Sequence, residues 1–298
     1  MSIIADIKTA FSRRDNALNQ LLLINVLVFA VLVVLEALLF LSGGNSVYAV
    51  LMRQLELPAD LPGLLRHPWT LLTYAFTHVK FFHILFNMLN LYWFGMLLRE
   101  YLGDRRLVSL YILGALAGAV LFLLSYNLLP VLRPQMMAGI SMIGASASVT
   151  AIIVGAATLL PDYTFNLFLF GPVRIKYIAA AVVLISIAGI SGTNAGGQIA
   201  HIGGAIIGFL FVKQLQAGRD LGRPILAVGD WVSGLLHGRP RLRVSHRNTP
   251  APAASGKRAP LVQPEQNEID LILDKISRSG YESLSKDEKQ KLFKASQQ

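Results

Sequence analysis

Read only for hydrophobic and polar positions, the chain strings together long apolar runs with short polar breaks until about residue 215, where its character changes. Leu21–Phe40 is almost wholly apolar over twenty residues, enough to cross a hydrocarbon layer of about 30 Å, and predicts helix one. That run is longer than a signal-peptide core, and the Leu-Ser-Gly-Gly after it is a poor cleavage site, so it reads as a retained span. Phe81–Leu98 predicts helix two, closed by a charged turn with Arg99, Glu100, Asp104, Arg105 and Arg106, and helix three runs from Leu107 to about Leu128. Ile143–Leu160 predicts helix four, which stops at Pro161 because proline cannot continue the hydrogen-bond ladder. Tyr177–Ile190 predicts helix five, Ser191–Gln198 a glycine-rich turn, and Ile199–Val212 helix six. The loop of residues 41–80 mixes Gly and Pro with apolar pieces such as Val47–Met52 and Trp69–Phe76. It is expected to lie partly in the membrane surface, with the Trp69 and Tyr74 rings at headgroup level.

Composition agrees with the pattern. A chain that is 54% hydrophobic and 15% charged, with mean hydropathy +0.53, is too apolar for an ordinary soluble domain. The expected fold class is an all-α membrane protein, a six-transmembrane-helix bundle with a partly disordered cytoplasmic tail. The absence of cysteine removes disulfides, cysteine nucleophiles and thiolate metal sites, and no cofactor or metal is expected. A net charge of +10 suggests nucleic acid, but its positions do not: much of the excess follows Lys213, where basic residues beside a membrane report topology or anionic lipid. One set of connections carries eight Lys and Arg residues (Lys8, Arg13, Arg14, Arg99, Arg105, Arg106, Arg174, Lys176), and the other carries four (Arg53, Arg66, Lys80, Arg133). Both termini are therefore expected on the cytoplasmic side, in an integral multi-pass protein whose basic inner loops and lack of a targeting segment fit a bacterial cytoplasmic membrane.

Four segments follow: a cytoplasmic start (1–20), the six-helix membrane domain (21–215), a basic amphipathic segment and linker (216–266) and a small helical hairpin (267–298). Ile225–Leu236, around Trp231, has the apolar content to lie on a membrane surface, and residues 239–266 have the Arg, Pro, Ala and Ser content of a disordered linker. Ile269, Leu271, Ile272, Leu273 and Ile276 recur at helical spacing before Gly280. Ser285 to Glu288 reads as a capping box opening a second helix with Leu292 and Phe293 inward. The hairpin is too small for much stability alone and is expected either to meet a cytoplasmic partner, the membrane domain or itself, or to be a weakly folded tail.

The predicted topology brings candidate chemistry together. Helices two, four and six all run from outside to inside, and their first turns carry His83 and Asn87, Ser146, and His201. A serine hydroxyl is a weak nucleophile until a base takes its proton, and His201 is the candidate base, with no carboxylate evident as a third member. Ser146 near a helix N-terminus offers backbone N–H groups, while His83 and Asn87 project from one helical face, so that together they can form an oxyanion hole. Small residues repeat every fourth position, Ala147, Ala151 and Gly155 on helix four and Ala200, Gly204 and Gly208 on helix six, and such stripes let membrane helices approach closely. Singly, each feature has a plainer reading: a back-bonded serine, an interhelical histidine donor, a structural His83–Asn87 pair, and packing alone for Gly114 and Gly118. Glu36, inside helix one, has no role in this picture.

His83-x-x-x-Asn87, Gly144-Ala145-Ser146-Ala147 and Ala200-His201-x-x-Gly204-x-x-x-Gly208, in this order over residues 20–215, resemble the rhomboid family of intramembrane serine proteases. The resemblance implies a bundle with a water-accessible cavity that cleaves membrane-anchored proteins in or just outside their transmembrane segment. In it Ser146 is nucleophile, His201 general base, and His83 and Asn87 oxyanion donors. It also implies a membrane-embedded first loop at 41–80 and a substrate gate at helix five. The chain departs from the family at Ala147, where many members have Gly; at Thr150, where better-known members have an aromatic; at Thr70, where arginine is common; and at Arg99 with Glu100 one place late. An inactive rhomboid-like protein that binds or guides membrane proteins is the alternative, though its usual mark is loss of the serine or histidine. A transporter would want mid-membrane charges and repeats. A metalloprotease would want His-Glu-x-x-His, and an aspartyl protease paired intramembrane aspartates, and neither motif occurs.

Overall fold

Long runs of Leu, Ile, Val and Ala with single glycines satisfy their own backbone as helices, and this chain is an all-α membrane protein built on that principle. The computed structural model describes residues 16–167, 171–237 and 264–295, so the expected start before residue 16 and most of the expected linker lie outside the described residues, as does the Phe293 side chain. The chain divides into two compact units, Met1–Arg239 and Pro240–Gln298.

Among the described residues the bundle of the first unit is built from six apolar helices, with shorter ones in the loops: α1 Ala17–Leu41, α2 Phe81–Leu102, α3 Asp104–Leu128, α4 Ser146–Leu159, α5 Ile175–Ala188 and α6 Ala195–Gln216. Among the described residues α1, α2, α3 and α6 are long and apolar enough to cross a membrane, whereas α4 and α5 are apolar but shorter. With 14 residues in α4, that helix is about 21 Å long, well short of a hydrocarbon layer of about 30 Å.

The helix ends differ from the sequence reading for identifiable reasons. Helix four does not begin at Ile143, because Ser141 and Met142 are extended and pair antiparallel with Pro58 and Leu57, and Gly144 then turns at φ +115°. Helix six begins four residues earlier than expected. Asn194 caps it by accepting from the Gly197 N–H at 3.3 Å, and Gly196 packs against Phe122 and Tyr126 where a β-carbon would not fit. Gly196 and Gly197, expected in the turn, belong to the helix, which puts His201 in the second helical turn rather than the first. The charged residues between helices two and three are helical too, and only Gly103, at φ +82°, breaks the chain between them. Residues 161–176 contain an antiparallel hairpin, Thr164–Leu167 against Gly171–Arg174. Asp162 at its base bonds Lys176 Nζ at 2.7 Å and Arg174 at 3.2 Å, and these two cations, Lys176 first, hold its carboxyl below the usual carboxylate range.

The first loop is tied to the bundle by polar contacts. Tyr74 does not face outward as an interfacial ring would: it is buried and donates its hydroxyl to the Ala115 carbonyl at 2.7 Å. Tyr111 likewise donates to the Ala75 carbonyl at 2.8 Å and accepts from Asn25 of α1 at 3.1 Å. Trp69 is exposed, with its indole N–H on the Gln54 carbonyl at 2.9 Å. Glu36 is exposed on α1 and accepts from the Tyr48 hydroxyl at 3.5 Å. On the opposite side of the bundle Asp104 accepts the Ala17 N–H that opens α1, and helix α7 (Arg223–His237) is held by Arg105–Asp230 at 2.8 Å, close to the Arg106–Asp220 pair at 3.3 Å. Ile225 and Leu226 are half-buried there, while Val228, Trp231 and Leu235 are exposed.

In the second unit α8 (Pro264–Ser279) and α9 (Lys286–Ala295) form the hairpin. Ile272 and Leu284 are buried between them, while Leu271 and Leu273, though apolar, face outward. Ser285 N–H donates to the Glu288 carboxylate at 2.7 Å and Ser285 Oγ accepts the Glu288 N–H at 3.3 Å, a reciprocal cap.

Candidate active site

The site begins with close helix approach. Between apolar helices in lipid there is little hydrophobic drive, so packing distance decides association. The interface of α4 with α6 is the most extensive in the fold. A β-carbon at Gly204 would overlap the Ala147 carbonyl, and one at Gly208 would overlap the Ala151 carbonyl. Gly155 faces Leu110 and Leu98 with the Gly208 carbonyl beyond them. The α3 glycines belong to the same contact: Gly118 lies on the Ala147 methyl and the Ala200 carbonyl, and Gly114 on Ala151 and the Ser148 backbone. The residue after Ser146 is thus pressed against the helical turn that follows His201.

Ser146 is the first residue of α4, with Ala145 as an N-cap that supplies no side-chain bond. The first N–H groups of a helix have no carbonyl one turn back, so those of Ser146, Ala147 and Ser148 lack a helical partner. Gly144 is fixed twice, by its positive φ and by His83, whose Cε1 would lie 2.5 Å from any added β-carbon. Its N–H donates to the Tyr74 carbonyl at 2.8 Å. Antiparallel pairing of the first loop with Ser141 and Met142 and a Ser141 Oγ–Glu56 hydrogen bond hold the approach to the serine from the other side.

His83 and Asn87 lie one turn apart on α2, but they do not form a pair with each other. Asn87, 6% exposed, donates through Nδ2 to Nε2 of His78 at 3.2 Å. The same Nε2 accepts the Ala145 N–H at 3.2 Å, and the His78 ring meets His83 edge-on at 5.1 Å between centroids. Burial, with His83 beside it, pushes the His78 pKa down to about 4, so the ring is neutral and the one lone pair of Nε2 is shared between the two donors. His78 therefore links the Asn87 carboxamide to the backbone just before Ser146, and one Asn87 N–H remains for another acceptor. The sequence reading passed over His78; its signal was the spacing His78-x4-His83-x3-Asn87.

His201 on α6 lies within Coulombic reach of His83. Its Nδ1 is 3.1 Å from Ser186 Oγ on α5, a residue 2% exposed. Ser186 falls within the predicted helix five, where nothing in the sequence pattern singles it out. Thr150, where an aromatic was looked for, donates to the Ser146 carbonyl at 2.8 Å, so its hydroxyl belongs to its own helix. Among the described residues no hydrogen bond joins Ser146 Oγ to His201, and no group of three or more His, Asp or Glu is placed to hold a metal ion. The arrangement offers a partly exposed hydroxyl at a helix N-terminus, a partly exposed imidazole across a tight helix contact, and a fixed carboxamide donor.

Comparison with known proteins gives a family match. The Rhomboid domain model matches residues 65–216, and a family of unknown function (DUF6576) matches residues 263–298. RHOMBOID-like protein 12, mitochondrial, of Arabidopsis thaliana is 31% identical over 159 residues, 50% of this chain and 47% of that protein. Rhomboid-like protein 16, chloroplastic, of the same plant is 30% identical over 160 residues, 50% of each chain. Rhomboid protein 1, mitochondrial, of Saccharomyces cerevisiae is 32% identical over 170 residues, 53% of this chain and 45% of that protein. The chain spans about half the length of these relatives. Their names place those proteins in mitochondria and chloroplasts, and the matches do not support the bacterial inner membrane expected from the basic loops.

Proposed function

From the premise that this chain belongs to the rhomboid family, shown by a domain match over half its length, we propose that it is an intramembrane serine endopeptidase cleaving membrane-anchored proteins in or near their transmembrane segment. The observation that carries this reading is the seating of Gly204 on the Ala147 carbonyl, which ties the start of α4 to the turn after His201 with no room for a side chain.

In this mechanism Ser146 Oγ attacks the scissile carbonyl carbon while His201 Nε2 takes the hydroxyl proton. The carbonyl oxygen becomes an oxyanion, for which the donors are the free N–H groups of the α4 N-terminus, the Asn87 carboxamide held by His78, and His83. Collapse breaks the C–N bond, and the His201 proton passes to the leaving amine. Water, deprotonated by the same imidazole, then hydrolyses the Ser146 ester. The shortness of α4 suits a cut within the bilayer, because a helix of 14 residues leaves about 9 Å of the layer unspanned, room for water above the serine. The face carrying Arg99, Arg105 and Arg106 is the inner one on this reading, and the site opens on the other. The substrates are single-span or other transmembrane proteins, and the hairpin of residues 267–298 is the segment for a further, cytoplasmic partner.

Fluorophosphonate labelling tests the nucleophile directly. The purified protein should take up one label, on the peptide containing Ser146, and His201→Ala should abolish it without unfolding the protein. Labelling elsewhere, or undiminished labelling of His201→Ala, overturns the assignment.

A further inference from the structure

Among the described residues no carboxylate is hydrogen-bonded to the proposed base, and the polar group that reaches it is Ser186. A hydroxyl has one proton and two lone pairs. Ser186 Oγ lies 2.9 Å from the Val182 carbonyl, one turn back on α5, and 3.1 Å from His201 Nδ1 on α6. A carbonyl oxygen can only accept, so both contacts are hydrogen bonds at once only when the single hydroxyl proton goes to Val182. What Ser186 presents to the imidazole is a lone pair. With Ser186 2% exposed, water has little access to replace that partner.

We infer that Ser186 is a positioning residue for the reaction: by accepting from His201 Nδ1–H it holds the neutral imidazole in the tautomer whose bare nitrogen is Nε2. This inference rests on the reading of His201 as general base. Only that tautomer can take a proton from Ser146 through Nε2, and when the imidazolium forms, the Nδ1–H···Oγ bond persists across proton transfer. A hydroxyl suits the setting because it orients the ring without the desolvation cost of an ionised carboxylate between apolar helices. It also explains why Thr150 can be spent on its own helix: support for His201 comes from α5 instead of α4.

The test reads the tautomer itself. The full-length protein, labelled with nitrogen-15 at histidine and held in detergent micelles at mildly alkaline pH, is compared by NMR with Ser186→Ala and Ser186→Thr, and the His201 signals are identified by their loss in His201→Gln. The parent should show His201 with Nδ1 protonated and Nε2 bare. Ser186→Ala should gain a substantial Nε2–H population, and Ser186→Thr, which restores a hydroxyl, should return toward the parent. In cleavage assays Ser186→Ala should lose about 10- to 100-fold in kcat with KM little changed, the range seen when the partner that orients a metal-bound histidine is removed. A parent already carrying Nε2–H, or a tautomer ratio unmoved in Ser186→Ala, overturns the inference. Failure of the underlying reading would look different: Ser146→Ala or His201→Ala would still cleave, whatever the tautomer.

Discussion

Gly204 lies so close to the carbonyl of Ala147 that α6 and α4 meet backbone to backbone. Everything proposed about Ser146 and His201 depends on that contact, since it fixes the two helices at the point where one starts and the other carries its imidazole.

Gly204→Ala should therefore separate the helices. Overpacking of a tight core costs about 1–3 kcal/mol, and here the obstacle is backbone that cannot rotate away. Thermal unfolding in detergent should show a clear loss of stability, with cleavage falling further than stability. Gly229→Ala on α7 is the control: nothing lies within 4 Å of its β-carbon, and it should be neutral or slightly stabilising. Equal behaviour of the two variants would remove the helix contact from the account.

Much of this was legible in the sequence because membrane helices write their packing in small residues. The stripes Ala147, Ala151, Gly155 and Ala200, Gly204, Gly208 follow from helical periodicity alone. What the pattern did not carry was helix length and the side-chain partners. Ile143 suggests the start of α4, yet the two residues before it pair as a strand with Leu57 and Pro58, more than eighty positions earlier. Gly196 and Gly197 suggest a turn because glycine usually marks one, whereas Gly196 makes room for the rings of Phe122 and Tyr126 and Gly197 lies against the Asn194 cap. Ser186 is a single polar residue whose partner lies on another helix, and no local spacing announces such a bond, whereas His78 has only its spacing to His83 and Asn87 as a signal.

Gly144 should tolerate no side chain. Its φ of +115° is strained for any L-residue, and His83 occupies the space a β-carbon would need. Gly144→Ala should cost about 1–3 kcal/mol in backbone strain and abolish labelling of Ser146 by fluorophosphonate even where the protein remains folded. Normal labelling would show that the serine does not depend on this turn.

Asn87 and His78 should behave as a unit. Loss of one oxyanion donor costs about 10²–10³ in kcat in model proteases, and Asn87→Ala should fall in that range with KM nearly unchanged. His78→Ala should lose less, by letting the carboxamide turn. In the double variant the losses should not multiply, because His78 acts through Asn87. Fully multiplicative losses would mean the two residues act independently.

The hairpin has an acid limit of its own. The Lys275 ammonium, followed by the Ser285 backbone N–H, takes the Glu288 carboxyl from an ordinary 4.5 down to about 2. A carboxyl depressed in the folded state contributes stability that is full above its unfolded pKa and is lost as pH falls through the folded one. The cap should therefore persist from neutral pH to below 4.5 and release toward about 2. The Ser285 amide proton shift, followed by NMR in the full-length protein, should titrate in that window and lose its dependence in Glu288→Gln. A midpoint near 4.5 would contradict the cap.

The most direct measurement of the central claim is cleavage of a single-span reporter in proteoliposomes by the purified protein beside Ser146→Ala and His201→Ala. The account predicts a cut in or beside the reporter's transmembrane segment by the parent and none by either variant, all three being equally folded. Cleavage surviving in either variant, or a folded parent that neither cuts nor takes a fluorophosphonate on Ser146, would contradict it.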